Sequence, residues 1–282
     1  MGRDEWRHWL KPIMLLAKEA GAGILNYYGM SSQRLGVSRK EDNTLLTEAD
    51  LCAHDIIHKG LQQLTPDIPL LSEEDTIPAY ETRQQWSHYW LVDPLDGTRG
   101  FIEKRDEFTV NIALIAHHQP VLGVVYVPVM KLLYFAMQDG GAFKQEADHN
   151  PVAIHAAPMN CQSVCVLLGH YLHSPQLPDL LKEIPECHIV RLNSSLKFCW
   201  IAEGKGDIYP RFGQTSEWDT AAAQCVLTEA GGVLVDLSGA ALHYNAKDSL
   251  INPAFVAVGD PTHMTKIIKL IQEKRRQMWH NM

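Results

Sequence analysis

Acidic side chains gather at three separated places in this chain with the spacing that divalent-cation chemistry needs. The first is Asp93-Pro94-Leu95-Asp96-Gly97-Thr98, two carboxylates three positions apart followed by glycine and threonine. It follows the apolar run Tyr89-Trp90-Leu91-Val92, which reads as a buried strand, so both acids emerge at a strand end. Hard cations such as Mg²⁺ take carboxylate and carbonyl oxygens and keep positions for water and a substrate phosphate. The second place is Ser72-Glu73-Glu74-Asp75, after the apolar run 68–71, and the third is Trp218-Asp219-Thr220-Ala221-Ala222. Each has a plain reading. Asp-Gly marks a turn, Glu73 to Asp75 is a solvated charge run, and Asp219 sits in a helix's first turn, where the dipole favours an acid. Those readings do not explain why all three lie at strand ends or at a helix start.

The elements that must position these acids follow from periodicity. Leu10, Met14, Ala17, Gly21, Ile24, Leu25 and Tyr28 recur at helical steps and predict a first helix ending near Gly29. Gly21-Ala22-Gly23 falls inside that pattern, so it is not a dinucleotide-binding loop. A second helix opens at Thr47 and is stopped by Thr65-Pro66-Asp67; Asp50 at its third position suits a capping box. Residues 109–144 alternate and turn like an antiparallel meander. The second half alternates strand (Val164–Leu168), helix from Ser174-Pro175, strand (His188–Leu192), helix (Ser195–Glu203) and strand (Ile208–Phe212). A single helix (Trp218–Ala230) and a strand (Val233–Leu237) follow. This pattern predicts a layered α/β fold with sheets covered by helices. A soft boundary at 147–158 divides the chain into a lobe over 1–150 with most of the acids and a lobe over 151–260 with Asp219. A basic helical tail covers 261–282, and the whole forms one catalytic unit.

Composition narrows the partners. The 282 residues are 46% hydrophobic, enough for a large core, and the net charge is −8 with no basic face, which argues against nucleic acid. A phosphate-bearing ligand remains compatible, because bound cations reverse the local field. No apolar run approaches the ~20 residues of a membrane span. Met1 to Leu10 lacks a signal-peptide pattern, so the expected location is cytoplasmic. The six cysteines are scattered and read as reduced thiols, and the C-x3-C of Cys161 and Cys165 has no second pair to make a zinc site. His54 and His58 lie one helical turn apart without the Glu of a metalloprotease helix and read as a surface pair. In the tail, Ile267, Ile268, Leu270, Ile271 and Met278 oppose Lys266, Lys269, Lys274, Arg275 and Arg276. Such a helix docks on the body or lies on the cytoplasmic face of an anionic inner membrane.

Glu73-Glu74, the hexapeptide at 93–98 and Trp218-Asp219-Thr220-Ala221-Ala222 together resemble the inositol monophosphatase-like superfamily of Mg²⁺-dependent, lithium-sensitive phosphatases. Five longer stretches are similar to its CysQ-type 3'(2'),5'-bisphosphate nucleotidase branch: 71–75, 89–98, 107–115, 194–199 and 209–213. The resemblance spans residues 10–258 and implies an αβαβα sandwich like that of inositol monophosphatase and fructose bisphosphatase. It implies one Mg²⁺ on Glu73, Asp93 and the Leu95 carbonyl, a second on Asp93, Asp96 and Asp219, and a third, weaker ion near Asp50. It implies that Thr98, with Glu73 or Glu74, activates the attacking water and that the Gly97 and Thr98 amides meet the phosphate. Lys197 and Arg211 are the candidates for the second phosphate of a bisphosphate nucleotide, with Ser194 and Ser195 as hydroxyl donors or helix caps.

The implied reaction removes the 3'-phosphate of 3'-phosphoadenosine 5'-phosphate, giving AMP and phosphate and clearing a by-product of sulfate assimilation. A phosphate monoester repels hydroxide, and two cations roughly 4 Å apart stabilise attacking and leaving oxygens together. Rival expectations are inositol monophosphate or related sugar phosphate hydrolysis and a metal-dependent nucleotide sensor without turnover. Three positions depart from the branch's pattern. Gly100 stands where Glu is usual, which loosens the loop; Asn193 stands where Gly is usual, at a turn with room for positive φ; Ala223 replaces another Gly.

Overall fold

The computed structural model describes residues 2–31, 34–39, 45–171, 177–182, 184 and 186–280. Helices α1 (Arg3–Leu25) and α2 (Glu48–Leu64) pack together, and between them lies a short antiparallel ribbon of β1 (Ser38–Arg39) and β2 (Leu45–Leu46). The Thr47 side chain caps α2 by accepting the Ala49 N–H, and Asp50 completes the capping box. A seven-stranded sheet follows in sequence order: β3 (Leu70–Ser72), β4 (His88–Asp96), β5 (Thr109–Ala116), β6 (Gln119–Val127), β7 (Leu132–Met137), β8 (Gly141–Glu146) and β9 (Val152–Ile154). Only β3 and β4 pair in parallel, bridged by the single-turn α3 (Tyr80–Arg83), and the rest is the meander that alternation predicts. α4 (Thr98–Ile102) leaves the end of β4.

A five-stranded sheet has the order β11-β10-β12-β14-β13, with β10 (Val164–Leu168), β11 (Cys187–Arg191), β12 (Ile208–Arg211), β13 (Val233–Asp236) and β14 (Phe255–Val258). Its helices are α5 (Leu177–Lys182), α6 (Leu196–Ala202), α7 (Ala221–Glu229) and α8 (Met264–His280). The helix start read at Ser174-Pro175 lies outside the described residues, as do the side chains of Lys274, Arg275, Arg276 and Met278 in the tail. Sequence periodicity passes over β14, whose four residues are too few and too uniformly apolar to carry a period.

The pleat sorts these elements into layers, because successive strand residues face opposite ways. Trp90 and Val92 of β4, with Val110, Ile112 and Leu114 of β5, pack under α1 and α2. Their neighbours Tyr89, Leu91, Ala113 and Ile115 face α6, α7 and the inner face of the second sheet. The outer face of that sheet (Val166, Ile208, Val256) packs on α5 and α8. The result is the αβαβα order expected from sequence. α7 sits close over β6: a Cβ on Gly123 would lie 2.2 Å from the Ala222 carbonyl oxygen, so only glycine fits there.

Candidate active site

Adjacent strand ends carry Glu73 and Asp93. Glu73 follows β3, and its N–H donates to the Val92 carbonyl at 3.1 Å, which sets it beside Asp93 on β4. The Asp93 Oδ1 accepts the Leu95 N–H at 3.0 Å, and pairing with β5 shifts between Asp93 and Asp96. That irregularity re-aims the strand end, so that Asp96, paired with Thr109, and Gly97 (φ +95°) line the cleft.

Asp219 arrives from the second sheet, and here the structure corrects the sequence reading. Residues Trp218–Ala230 do not form one helix. Glu217–Asp219 is a 3-10 turn, Thr220 breaks it at φ −118°, and α7 begins at Ala221. The cause is local: Asp219 Oδ2 accepts the Ser216 N–H at 2.9 Å in a capping box of its own. Thr220 is held by hydrogen bonds to the Glu217 carbonyl, the Tyr244 hydroxyl and Asn252.

Carboxylate oxygens of Glu73, Asp93 and Asp219 lie within 4.8 Å of one another, the one such acidic cluster among the described residues. Burial, then the charges of Glu73, Asp96 and Asp219, pushes the Asp93 carboxyl far above its ordinary range. Burial and the charges of Asp96 and Glu73 do the same to Asp219. Acids so placed hold their charge only beside a cation, so the donor set fits a hard divalent ion. Asp96 lies outside that trio. Its Oδ2 accepts the Ser195 N–H at 2.6 Å, with Thr109 and Asn111 donors at 3.5 and 3.4 Å. Burial raises Asp96 too, while the Lys197 charge pulls it down.

Thr98 Oγ1 donates to Asp50 Oδ1 at 3.0 Å, with the Leu95 carbonyl at 3.3 Å. The other Asp50 oxygen accepts the Thr47 N–H and hydroxyl at 2.8 and 2.5 Å, and burial raises this carboxyl to about 6. Glu74 shares the turn with Glu73 and does not line the cleft.

An open cleft of about 930 Å³ is lined by Glu73, Asp93, Asp96, Thr98 and Asp219, and it adjoins a smaller cavity of about 250 Å³. Ser194, Ser195, Lys197 and Arg211 line the smaller cavity. Lys197 is 4% exposed; its Nζ donates to the carbonyls of Leu192 and Ser194 at 3.3 and 2.6 Å, and burial lowers its pKa to about 8. Arg211 donates through Nη2 to the Gln214 carbonyl at 2.8 Å. The serine hydroxyls are turned inward, Ser194 to the Glu107 carbonyl and Ser195 to Asn111, and Ser195 makes no side-chain cap on α6.

Three further readings are corrected. Positive φ falls on Ser194 (+54°) and not on Asn193, so Asn193 has no such turn to preserve. Gly100 lies buried in α4 rather than in a loosened loop. His54 is no simple surface residue: its ring bonds Ser72 at 3.0 Å and approaches Asp75 at 3.4 Å. Sequence reasoning missed Tyr171, whose ring lies 3.9 Å under the Arg99 guanidinium at the cavity wall, and Thr215 beside Arg211. A single tyrosine or threonine in an irregular segment carries no sequence signal.

The fold and the acid cluster agree with comparison to known proteins. The profile of the inositol monophosphatase family matches residues 5–276, and this chain belongs to that metal-dependent family. It is 44% identical over 246 residues, 87% of this chain and 98% of the other, to the 3'(2'),5'-bisphosphate nucleotidase CysQ of Salmonella typhimurium (strain LT2). The CysQ nucleotidase of Buchnera aphidicola subsp. Acyrthosiphon pisum is 42% identical over 254 residues, covering 89% of this chain and 94% of its own. The crystal structure of CysQ from Bacteroides thetaiotaomicron superposes with a TM-score of 0.76 at 36% identity, covering 86% of this chain and 94% of that one.

Proposed function

We propose that this chain is a 3'(2'),5'-bisphosphate nucleotidase that removes the 3'-phosphate of 3'-phosphoadenosine 5'-phosphate, leaving AMP and phosphate. In this reading it clears a by-product of sulfate assimilation. The observation that carries it is the approach of Glu73, Asp93 and Asp219 within 4.8 Å of one another, at a cleft that opens onto Lys197 and Arg211. The names of relatives at 44% identity and near-complete coverage support the substrate class.

The cation in this reading is Mg²⁺. Glu73, Asp93 and the Leu95 carbonyl would hold one ion, Asp93, Asp96 and Asp219 a second, and Asp50 would stand near a third, weaker one. Bound Mg²⁺ supplies the positive charge that acidifies a water and neutralises the departing ribose oxygen. The chain's own groups do the rest. Thr98 directs its hydroxyl proton to Asp50 Oδ1, which leaves its oxygen lone pairs to accept a hydrogen bond from the attacking water and aim it. Of the two acids expected to take the water's proton, Glu73 borders the cleft and Glu74 does not. Gly97, lacking a side chain, lets its own and the Thr98 amide approach the phosphate. Lys197 and Arg211, beside Ser194 and Ser195, bring positive charge to the non-scissile phosphate.

Residues 1–150 and 151–260 act in this reading as two lobes of one catalytic unit, with the basic tail 261–282 as a candidate peripheral contact with an anionic membrane. No helix among the described residues is long and apolar enough to cross a membrane. The test is phosphate release from 3'-phosphoadenosine 5'-phosphate and from inositol 1-phosphate, with Mg²⁺ and then with added Li⁺. Preference for the nucleotide and inhibition by Li⁺ support the reading. Preference for inositol phosphate makes this a sugar phosphatase, and nucleotide binding without phosphate release makes it a sensor.

A further inference from the structure

One buried donor beside Lys197 has no acceptor among the described residues. Asn193 is 6% exposed, its backbone N–H donates to Glu107 Oε2 at 3.0 Å, and its side-chain Nδ2 is buried without a hydrogen-bond partner. Buried amide donors are rarely left this way, because the lost hydration is not replaced. The position of the amide depends on residue 100. A Cβ on Gly100 would stand 2.7 Å from Asn193 Nδ2 and 3.5 Å from its Cγ, so the amide occupies space that a larger residue 100 would take. Gly100 and Asn193 line the small cavity together with Lys197, Arg211 and Thr215. Two more residues of that lining, Arg211 and Thr215, each carry a polar atom, Nε and Oγ1, that is also buried without a partner among the described residues. Each of the three can donate a proton, and a cavity bordered by unanswered donors suits an anion.

We propose that Asn193 is a substrate-specificity residue: seated in the space Gly100 leaves open, it donates from Nδ2 to an oxygen of the non-scissile phosphate of a bisphosphate nucleotide. This rests on the nucleotidase reading and deepens it. The amide adds a donor without adding a third cation next to Lys197 and Arg211. A carboxylate at residue 193 would face the same phosphate with like charge and be repelled. The side chains at 100 and 193 therefore work as a pair.

The experiment compares wild type, N193G, N193D, G100A and the double variant G100A/N193G. The substrates are 3'-phosphoadenosine 5'-phosphate and adenosine 3'-monophosphate, which share the scissile ester and differ by the second phosphate. N193G is expected to raise KM for the bisphosphate about tenfold while kcat changes less than about threefold, and to raise KM for the monophosphate at least about fivefold less. N193D loses more than N193G. G100A reproduces the N193G defect because its methyl displaces the amide, and the double variant is no worse than N193G, since both remove one contact.

Calorimetric binding of AMP and adenosine repeats the comparison without turnover, and N193G weakens AMP more than adenosine. Equal losses on both substrates, additive losses in the double variant, or unchanged AMP binding in N193G each overturn the proposal. A wild type that hydrolyses neither ester, yet binds AMP through Asn193, defeats the nucleotidase reading and leaves this contact standing. Matching circular dichroism and melting points show that the variants fold.

Discussion

Asp96 Oδ2 accepts the Ser195 backbone N–H at 2.6 Å, across 99 positions of sequence. The bond ties the end of β4, beside the acid cluster, to the start of α6, which carries Lys197. Asp96 also draws the Lys197 charge toward the cluster. The acid-lined cleft edge and the cavity beside Lys197 thus share one carboxylate, so a change at either reaches the other.

Asp93 is the centre of the repulsion. It is 1% exposed, and Glu73, Asp96 and Asp219 all raise its pKa. Asp93→Asn keeps the shape and removes one charge. Phosphate release is expected to fall by about 10³-fold or more, the scale lost when a principal electrostatic stabiliser is removed. In chelator the variant melts higher than wild type, by about 2 °C or more, because the ion-free cluster is less strained. Mg²⁺ then raises the wild-type melting point more than that of the variant, since a ligand binding only the folded state stabilises it. Equal responses to Mg²⁺ would remove Asp93 from the ion site.

Asp50 serves the α2 cap with one oxygen and Thr98 with the other. Asp50→Asn places an amide donor against one of these partners. It is expected to lower kcat about 10- to 100-fold, the range of acid–base positioning, and to cost about 1 kcal/mol as a damaged cap. Burial raises the folded pKa of Asp50 to about 6. A raised acid pKa means that the folded state binds the proton more tightly. Its contribution is full below the unfolded value near 3.8 and is lost as pH rises through 6. Ion-free wild type should therefore lose stability across that window relative to Asp50→Asn, as urea melts at several pH values will read.

Much of this site was legible because strands and caps announce themselves. The run Tyr89 to Val92 was read as a strand that delivers Asp93, and Thr47 with Asp50 as a capping box; both form, though β4 runs on through Asp96. The helix expected from Trp218 broke at Thr220, because a side-chain bond from Asp219 to the Ser216 N–H outweighed helical periodicity. Asp96 was read just past the strand end, whereas β4 runs through it, and its bond to Ser195 depends on how two sheets stack, which no local pattern encodes. The same holds for Asn193 against Gly100, a contact between segments 93 positions apart in the sequence.

Lys197 makes a prediction about pH. Burial lowers its pKa to about 8, against attraction from Asp96 that raises it. If Lys197 binds the second phosphate as proposed, the protonated form, present below that pH in the free enzyme, is the one that attracts it. kcat/KM for 3'-phosphoadenosine 5'-phosphate should fall as pH rises through about 8, and fall less for adenosine 3'-monophosphate. Lys197→Met should abolish the difference between the two profiles. Parallel profiles in the wild type would place Lys197 outside the binding of the second phosphate.

Arg83 holds Asp219 from a distance. At the end of α3 it is 1% exposed, and its guanidinium donates to Asn245 Oδ1 and to the carbonyls of Lys247 and Asp248. Asn245 returns Nδ2 to the Arg83 carbonyl at 2.6 Å, and its backbone N–H donates to Glu217 Oε2 at 2.6 Å. Glu217 begins the 3-10 turn that ends on Asp219. Arg83→Met removes the fork, leaves the buried Asn245 Oδ1 without its donor, and takes positive charge from the vicinity of buried Glu217. It should cost about 3–5 kcal/mol, seen as a lower urea midpoint at unchanged slope. Arg83→Lys should recover little, since an ammonium cannot reach three acceptors in one plane. Asp248→Ala, which removes a mostly exposed side chain but keeps its carbonyl, should cost less than about 0.5 kcal/mol. If the chain instead tolerates Arg83→Met as it does Asp248→Ala, the turn bearing Asp219 is held by Thr220, Tyr244 and Asn252 alone.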